Sequence, residues 1–505
     1  MGPSFKARVL LAKLQCSRIT EDPAFSVLAG VNTILDSLLQ PTEERREEQH
    51  LLVAEAVALK YPYRFHYSDG FNLDEVFAPR SPYGSRSDED LVVMDNAKRE
   101  AQDVLGGAIV LGCLPLVESL LEEGTPTSAD ANTRSLHFGR PLALAAAWGH
   151  LHIVRHLLKS GADAHASSRT YDRADYNGKW TPEEGMTPRD PWRYAFRNPE
   201  GSALSAAALG GHKDVVEFLL QPEYRIHPLG LEYSYALAAG AKGGHLDIVH
   251  VLVRTLVEAT GWTLADLPGT GPTMLWEAAR YGRQDVVRML LDSGVDIDAV
   301  PHPVIHGCEG TAIQHAAIAG NAAVVRLLLE CGANMAPQTR SVRHTMEAAA
   351  PYGHEEVVDV LIEYGADPRE AFFEAAAHGQ THLARRLIKR DPTILSMKPA
   401  YNDTADYTLG AKALEMAIST MNPAMVSVLV EAGVSLNQPT SGGDLPVDYA
   451  KKNSTPWVLE ALLSMGAVDT DFDGEYGENW EAVPEWYKEG YVHVTKRTWQ
   501  WVGKY

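Results

Sequence analysis

Histidine, glutamate and tyrosine recur at corresponding positions in the middle of this 505-residue sequence, and such side chains can do acid–base chemistry. Glu277 and His315 occupy equivalent positions in neighbouring segments of similar sequence. Imidazole, carboxylate and phenol groups held in a cleft can move protons on and off a substrate. His315, Glu277 and Tyr281 are therefore the predicted catalytic residues. The predicted binding residues lie on the same side of the corresponding predicted helices: Trp148, Tyr235, Lys242, Arg280, His344, Tyr352, Glu374 and His378.

Pairs of short helices must position these side chains, and the segment 311–334 is the clearest pair. Its sequence, TAIQHAAIAGNAAVVRLLLECGAN, predicts a first helix over 312–319 and a second over 322–330. Gly320 and Asn321 supply the turn, and Gly332 ends the second helix. Neither helix is long enough to be stable alone in water, so each needs neighbours to cover its apolar side.

The two sides of each first helix have different predicted roles. A pair of small residues, such as Ala316 and Ala317, is expected to pack against neighbouring helices, because small side chains allow close approach. The opposite side carries positions i, i+4, i+7 and i+8, and we call it the first-helix face. The early part of this face leaves room for a ligand, because its residues are small: Ala206, Gly210, Ala239 and Gly243.

The helix-pair pattern recurs from about residue 100 to residue 467. When the copies are aligned on the residue after the turn glycine, three steps are 33 residues long: 212 to 245, 321 to 354 and 422 to 455. A period of 33 residues is the ankyrin period.

The motifs themselves resemble those of the ankyrin-repeat family. The family's T-P-L-H-x-A opening is present in altered form as RPLALA at 140–145 and TAIQHA at 311–316. The family's ending, LL-x-x-GA(D/N), is found at 157–163 and 328–334. The Gly-His turn stands at four places: 149–150, 211–212, 244–245 and 353–354.

The resemblance implies an all-α solenoid of about ten helix-turn-helix repeats, in which the first-helix face lines a concave groove. It also implies a protein partner in that groove, which is the first functional hypothesis. The divergent repeats look like those of ankyrin proteins from filamentous fungi, some of which sit among small-molecule biosynthetic genes. The alternative hypothesis is a cofactor-free, chalcone-isomerase-like isomerase or cyclase of secondary metabolism, acting on a small aromatic or phenolic molecule. The sequence leaves both hypotheses open, and it does not indicate the oligomeric state.

Composition and charge narrow the classes of partner. The formal net charge of −21 argues against nucleic acid, because phosphate binding needs a basic face. No apolar run is long enough to cross a bilayer, so no membrane partner is expected. The four cysteines form no CxxC pair and the start shows no clear leader, which predicts free thiols and a cytoplasmic location. The sequence His302-x-x-x-His306-x-Cys308 matches no tight zinc spacing, so neither a metal nor a cofactor is expected.

Segments outside the regular repeats set the predicted domain boundaries. Residues 1–95 form an N-terminal helical and irregular region, 96–467 the solenoid, and 468–505 an aromatic C-terminal cap or lid. Smaller finger-like insertions are predicted at 221–232, 261–270, 300–310 and 392–409. The longest insertion, 164–201, holds six aromatic residues that either deepen the groove or decorate the surface: Tyr171, Tyr176, Trp180, Trp192, Tyr194 and Phe196.

Overall fold

The computed structural model describes twelve stretches of the chain, and every structural statement below concerns these residues: 23–60, 96–122, 128–135, 138–166, 202–267, 269–300, 310–336, 344–402, 404–453, 456–469, 491–495 and 498–501. The chain divides into two compact units. The first comprises Met1–Ala278, Asp285–Asp296 and His302–Gly307; the second comprises Ala279–Gln284, Ile297–Pro301 and Cys308–Tyr505.

Two helices precede the repeats in the first unit, α1 (Pro23–Leu39) and α2 (Glu43–Lys60). The second helix forms because 43–60 is rich in Glu, Arg, Ala and Leu, which are strong helix formers. They pack with α3 (Asn96–Val110) around a buried apolar cluster that includes Val31, Val53 and Val104. The N-terminal region therefore covers the apolar side of the first repeat helix.

The first unit continues with antiparallel helix pairs. After α3 and α4 (Leu114–Leu121), its helices are α5 (Pro141–Ala147), α6 (Leu151–Lys159), α7 (Ala203–Gly210), α8 (Lys213–Leu219), α9 (Leu231–Gly243) and α10 (Leu246–Thr260). The next pair, α11 (Thr270–Arg280) and α12 (Gln284–Asp292), contributes residues to both units. Successive first helices contact one another, as α5, α7 and α9 do, and so do the second helices α6, α8 and α10.

The second unit repeats the same arrangement. Its helices are α13 (Ala312–Ile318), α14 (Ala322–Glu330), α15 (Thr345–Ala349), α16 (Glu355–Glu363), α17 (Pro368–Ala377), α18 (Thr381–Arg390), α19 (Leu409–Ser419), α20 (Pro423–Glu431), α21 (Pro446–Lys452) and α22 (Pro456–Ser464). The first helices α13, α15, α17, α19 and α21 contact one another in that order. The predicted all-α repeat fold is confirmed.

The predicted small pairs form the packed side of the first helices. Ala145 and Ala146 in the first unit, and Ala316 and Ala317 in the second, are fully buried. Glycines in the left-handed region make the turns between the paired helices, for example Gly149 with φ of 73°.

In several repeats, the residue after the turn ties its repeat to the preceding one. In the first unit, His212 Nε2 donates to the carbonyl of Ala147 at 2.9 Å, and His245 Nε2 donates to that of Leu209 at 3.1 Å. In the second unit, Asn321 Nδ2 donates to the carbonyl of Arg280 at 2.7 Å, and Gln380 Nε2 donates to the carbonyl of Pro351 at 2.6 Å. These bonds satisfy carbonyls near the ends of the first helices, which lack partners within the helix.

The C-terminal segment contributes two short strands, β1 (Tyr491–Thr495) and β2 (Thr498–Trp501), which pair antiparallel. The weakly alternating β-forming residues of 491–502 favour strands. Residues 470–490 lie outside the described residues, so the cap or lid over 468–505 stays a prediction.

Candidate functional site

The structure places the three predicted catalytic residues in very different surroundings. Glu277, on α11 in the first unit, is 5% exposed, and His315, on α13 in the second, is 3% exposed. Tyr281 follows α11 and is exposed. The sequence prediction put all three on an open face. Glu277 and His315, which are the i+4 positions of their helices, are instead enclosed by packing. An acid–base role for these residues stays a prediction.

The predicted binding residues of the first unit are half-buried. Trp148, at the end of α5, packs with Leu144 against the apolar cluster formed by α1, α2 and α3. Tyr235 and Lys242 lie on α9, and each keeps part of its surface in solvent. The ring of Trp148 thus packs against the N-terminal helices, a contact that the sequence did not predict.

In the second unit, aromatic and polar side chains remain on the open first-helix face. Arg280 is half-buried. Tyr352 closes the 3-10 turn Ala350–Tyr352, is 45% exposed, and stacks on the ring of His354 with 5.9 Å between centroids. This turn contacts α17.

Helix α17 separates its buried and open sides clearly. Ala371, Phe372, Ala375 and Ala376 are fully buried. The open side presents Glu370, Phe373 and Glu374, all half-buried. Spacing of three and four residues places these three on one side of a helix.

The carboxylates on and beside α17 have histidines among their charged neighbours. His378 Nδ1 lies 3.5 Å from Glu374 Oε2. Glu370 faces His344, which precedes α15, and both glutamates face the carboxylate of Glu347 on α15. Predicted residues His344, Glu374 and His378 thus gather in one acidic region of the second unit.

Burial and neighbouring negative charges raise the free energy of an ionised carboxylate in this region. Burial raises the pKa of Glu374; His378 opposes the rise, and Glu347 and Glu370 add to it. Burial also raises the pKa of Glu370; His344 and Arg369 oppose that rise, and Asp367 and Glu347 add to it. Such perturbed carboxyl groups are characteristic of functional sites.

Reasoning from the sequence missed two aromatic residues beside these carboxylates. The ring of Phe373 meets the ring of Tyr401 edge to face at 5.4 Å between centroids. Tyr401 is 58% exposed and lies in the insertion predicted at 392–409, whose position in space the sequence did not give. We call Tyr352, Glu370, Phe373, Glu374 and Tyr401 together the α17 surface.

Hydrogen bonds hold the loop that presents Tyr401. Lys398 Nζ donates to the carbonyl of Ala405, and Arg369 Nη1 donates to the carbonyl of Lys398 at 3.2 Å. The hydroxyl of Tyr401 lies 3.4 Å from that of Tyr407. Tyr401 is therefore presented by a structured loop rather than by a loose one.

One basic side chain on α17 and one on α19 are paired with carboxylates of their own. Arg369 Nη2 pairs with Asp367 at 2.6 Å, and Lys412 Nζ pairs with Glu415 at 2.7 Å. Glu415 also accepts a hydrogen bond from the backbone N–H of Gly442 at 3.0 Å. These pairs leave Glu370 and Glu374 facing mainly histidines and other carboxylates.

We expect Glu374→Gln to stabilise the protein at neutral pH. Because its pKa is raised by folding, ionised Glu374 costs stability, and this cost grows as the pH rises from the ordinary carboxyl pKa through the raised value. A gain of about 0.5 kcal/mol or more at pH 7 is expected, shrinking as the pH falls toward 4.5. Urea unfolding at several pH values measures it.

Glu363→Gln is the matched control for that prediction. Glu363, on α16, is exposed and pairs with Arg326 at 2.6 Å. Losing an exposed ion pair costs little stability, so this variant is expected to be unchanged or slightly less stable at pH 7. Equal stabilisation by both substitutions would mean that net charge, and not the surroundings of Glu374, sets the effect.

Among the described residues, no group of three His, Cys, Asp or Glu side chains is placed to hold a metal ion. His302, His306 and Cys308 lie outside the described residues, as do the aromatic residues of the long insertion. No described helix combines the length and apolarity needed to cross a membrane.

Comparison with known proteins identifies the repeats. A model described as ankyrin repeats in three copies matches residues 203–301, a many-copy ankyrin model matches 275–329, and a single ankyrin repeat matches 140–169. No curated protein sequence matches the chain. The crystal structure of the human ASB11 ankyrin repeat domain is 21% identical, with a TM-score of 0.34 over 52% of this chain and 98% of that one.

Proposed function

Because this chain is an ankyrin-repeat protein, we propose that it binds a protein partner through the first-helix face of its second unit. Ankyrin repeats generally mediate protein–protein interaction. The observation that carries the choice of face is the pair of exposed tyrosines on it, Tyr281 and Tyr352, opposite fully buried alanines. Aromatic side chains dominate the energetically important centres of protein interfaces.

The surroundings of the predicted catalytic residues favour binding over catalysis. A catalytic acid or base must come within hydrogen-bond distance of a substrate atom, about 2.6–3.2 Å between heavy atoms. Glu277 and His315 are enclosed by protein, whereas Tyr352, Glu374 and His378 keep surface for a partner. We propose a cytoplasmic location for this interaction, since described cysteines Cys113 and Cys331 are free thiols.

Quantitative co-purification with face-specific variants tests the proposal. Tyr352→Ala removes an exposed ring from the first-helix face, and Tyr364→Ala removes one of similar exposure that follows the second helix α16. The expected result is a partner whose recovery falls at least tenfold with Tyr352→Ala and is unchanged with Tyr364→Ala. Equal losses with both variants, or no captured protein sensitive to either, would contradict the proposed face.

A further inference from the structure

The α17 surface combines aromatic rings with carboxylates, and both groups favour the same kind of ligand. Tyr352 and Tyr401 are its large exposed rings, and Phe373 meets the ring of Tyr401 edge to face. The face of an aromatic ring attracts an arginine or lysine cation. A carboxylate accepts hydrogen bonds from the same cation, and it does so most strongly when partly desolvated.

We propose that the α17 surface binds a partner segment that carries arginine or lysine side chains. This inference rests on the proposed function and specifies the chemistry of the partner. Charge complementarity supports it, because the nearby Arg369 and Lys412 are paired with Asp367 and Glu415. The whole chain carries a formal charge of −21, which adds long-range attraction for a basic segment.

A bound cation would relieve the cost of the ionised carboxylates. Glu370 and Glu374 face Glu347, Asp367, His344, His378 and Arg369 from α15, α17 and the segments beside them. On α19, which also packs against α17, Lys412 is paired with Glu415. An arginine or lysine beside the two glutamates favours their charged form, so binding releases protons when they are partly protonated.

The pH dependence of binding follows from the same groups. Burial raises the pKa of Glu370 and of Glu374, so both carboxyls ionise at a higher pH than an ordinary carboxyl does. Their ionisation makes the surface more negative. The affinity for a basic segment is therefore expected to increase as the pH rises through this ionisation.

Selection from a random 12-residue peptide library displayed on phage tests the inference on the full chain. The expected result is enrichment of Arg and Lys in the selected peptides. The best synthetic peptide should bind at least tenfold more weakly to Glu370→Gln/Glu374→Gln and less than twofold more weakly to Glu363→Gln/Glu431→Gln. The control pair changes the formal charge equally, on the second helices α16 and α20.

A third variant and a calorimetric readout make the result specific. Tyr401→Ala should weaken the same peptide about fivefold or more, since it removes a ring without changing charge. Titration calorimetry at pH 5.5 in two buffers should show proton release that disappears in the double Gln variant. Selected peptides without Arg or Lys, equal weakening by both charge variants, or no proton release would overturn the inference. The proposed function would then still stand if Tyr352→Ala alone abolished partner recovery.

Discussion

Gly149→Ala is expected to lower the free energy of unfolding by about 3 kcal/mol. Gly149 makes the turn between α5 and α6 with φ of 73°, a conformation that costs an L-residue about 1–2 kcal/mol. A Cβ at this position would lie 2.2 Å from Nδ1 of His212. The imidazole cannot move away without losing its 2.9 Å bond to Ala147, a loss of about 1 kcal/mol.

Gly161→Ala is the control, because it lies in the same repeat and shares the backbone conformation. Its φ is 86°, but no described atom lies within 4 Å of an added Cβ. We expect it to cost only the backbone share, about 1–2 kcal/mol. Urea unfolding of the two variants separates the contributions. Equal losses would show that the His212 bond between repeats adds nothing to the role of the turn glycine.

Phe372→Ala is expected to lower the free energy of unfolding by about 4 kcal/mol. The ring of Phe372 is fully buried on the packed side of α17, and its loss leaves a cavity. The neighbouring Phe373 lies on the open side of the same helix, where its ring meets Tyr401 at 5.4 Å. Phe373→Ala should therefore cost only about 1 kcal/mol. Urea unfolding of both variants measures the difference.

The variants Phe372→Ala and Phe373→Ala also distinguish an effect on stability from an effect on peptide binding. Phe373→Ala is expected to keep the fold while weakening the peptide selected on the α17 surface, since Tyr401 loses the ring that supports it. Phe372→Ala is expected to lose both the fold of this region and the binding. If Phe373→Ala were the more destabilising of the two, the assignment of buried and open sides of α17 would be wrong.

Local chemistry made the repeat architecture predictable. Turn glycines, paired alanines and the residue after each turn recur with fixed spacing, so segments such as 311–334 contain enough information to place both helices. The helix at 43–60 was predictable from its strong helix formers. Both kinds of signal are local, because they depend only on residues that are close together in the sequence.

The candidate site was less predictable because it depends on packing between repeats. Helical spacing predicted that Tyr352, Glu374 and His378 share one face, yet it could not show that Glu277 and His315 are buried. Nor could it place Tyr401 beside Phe373, because the conformation of the insertion between α18 and α19 is set by bonds such as that from Arg369 to Lys398.

Hydroxyl-radical footprinting with the bound partner tests recognition through the first-helix face most directly. The reaction reports the solvent exposure of tyrosine rings, and three rings of the second unit offer a comparison: Tyr352 is 45% exposed, Tyr401 58% and Tyr364 39%. We predict that the partner lowers the oxidation of Tyr352 and Tyr401 several-fold and leaves Tyr364 unchanged. Protection of Tyr364 with full oxidation of Tyr352 and Tyr401 would contradict it.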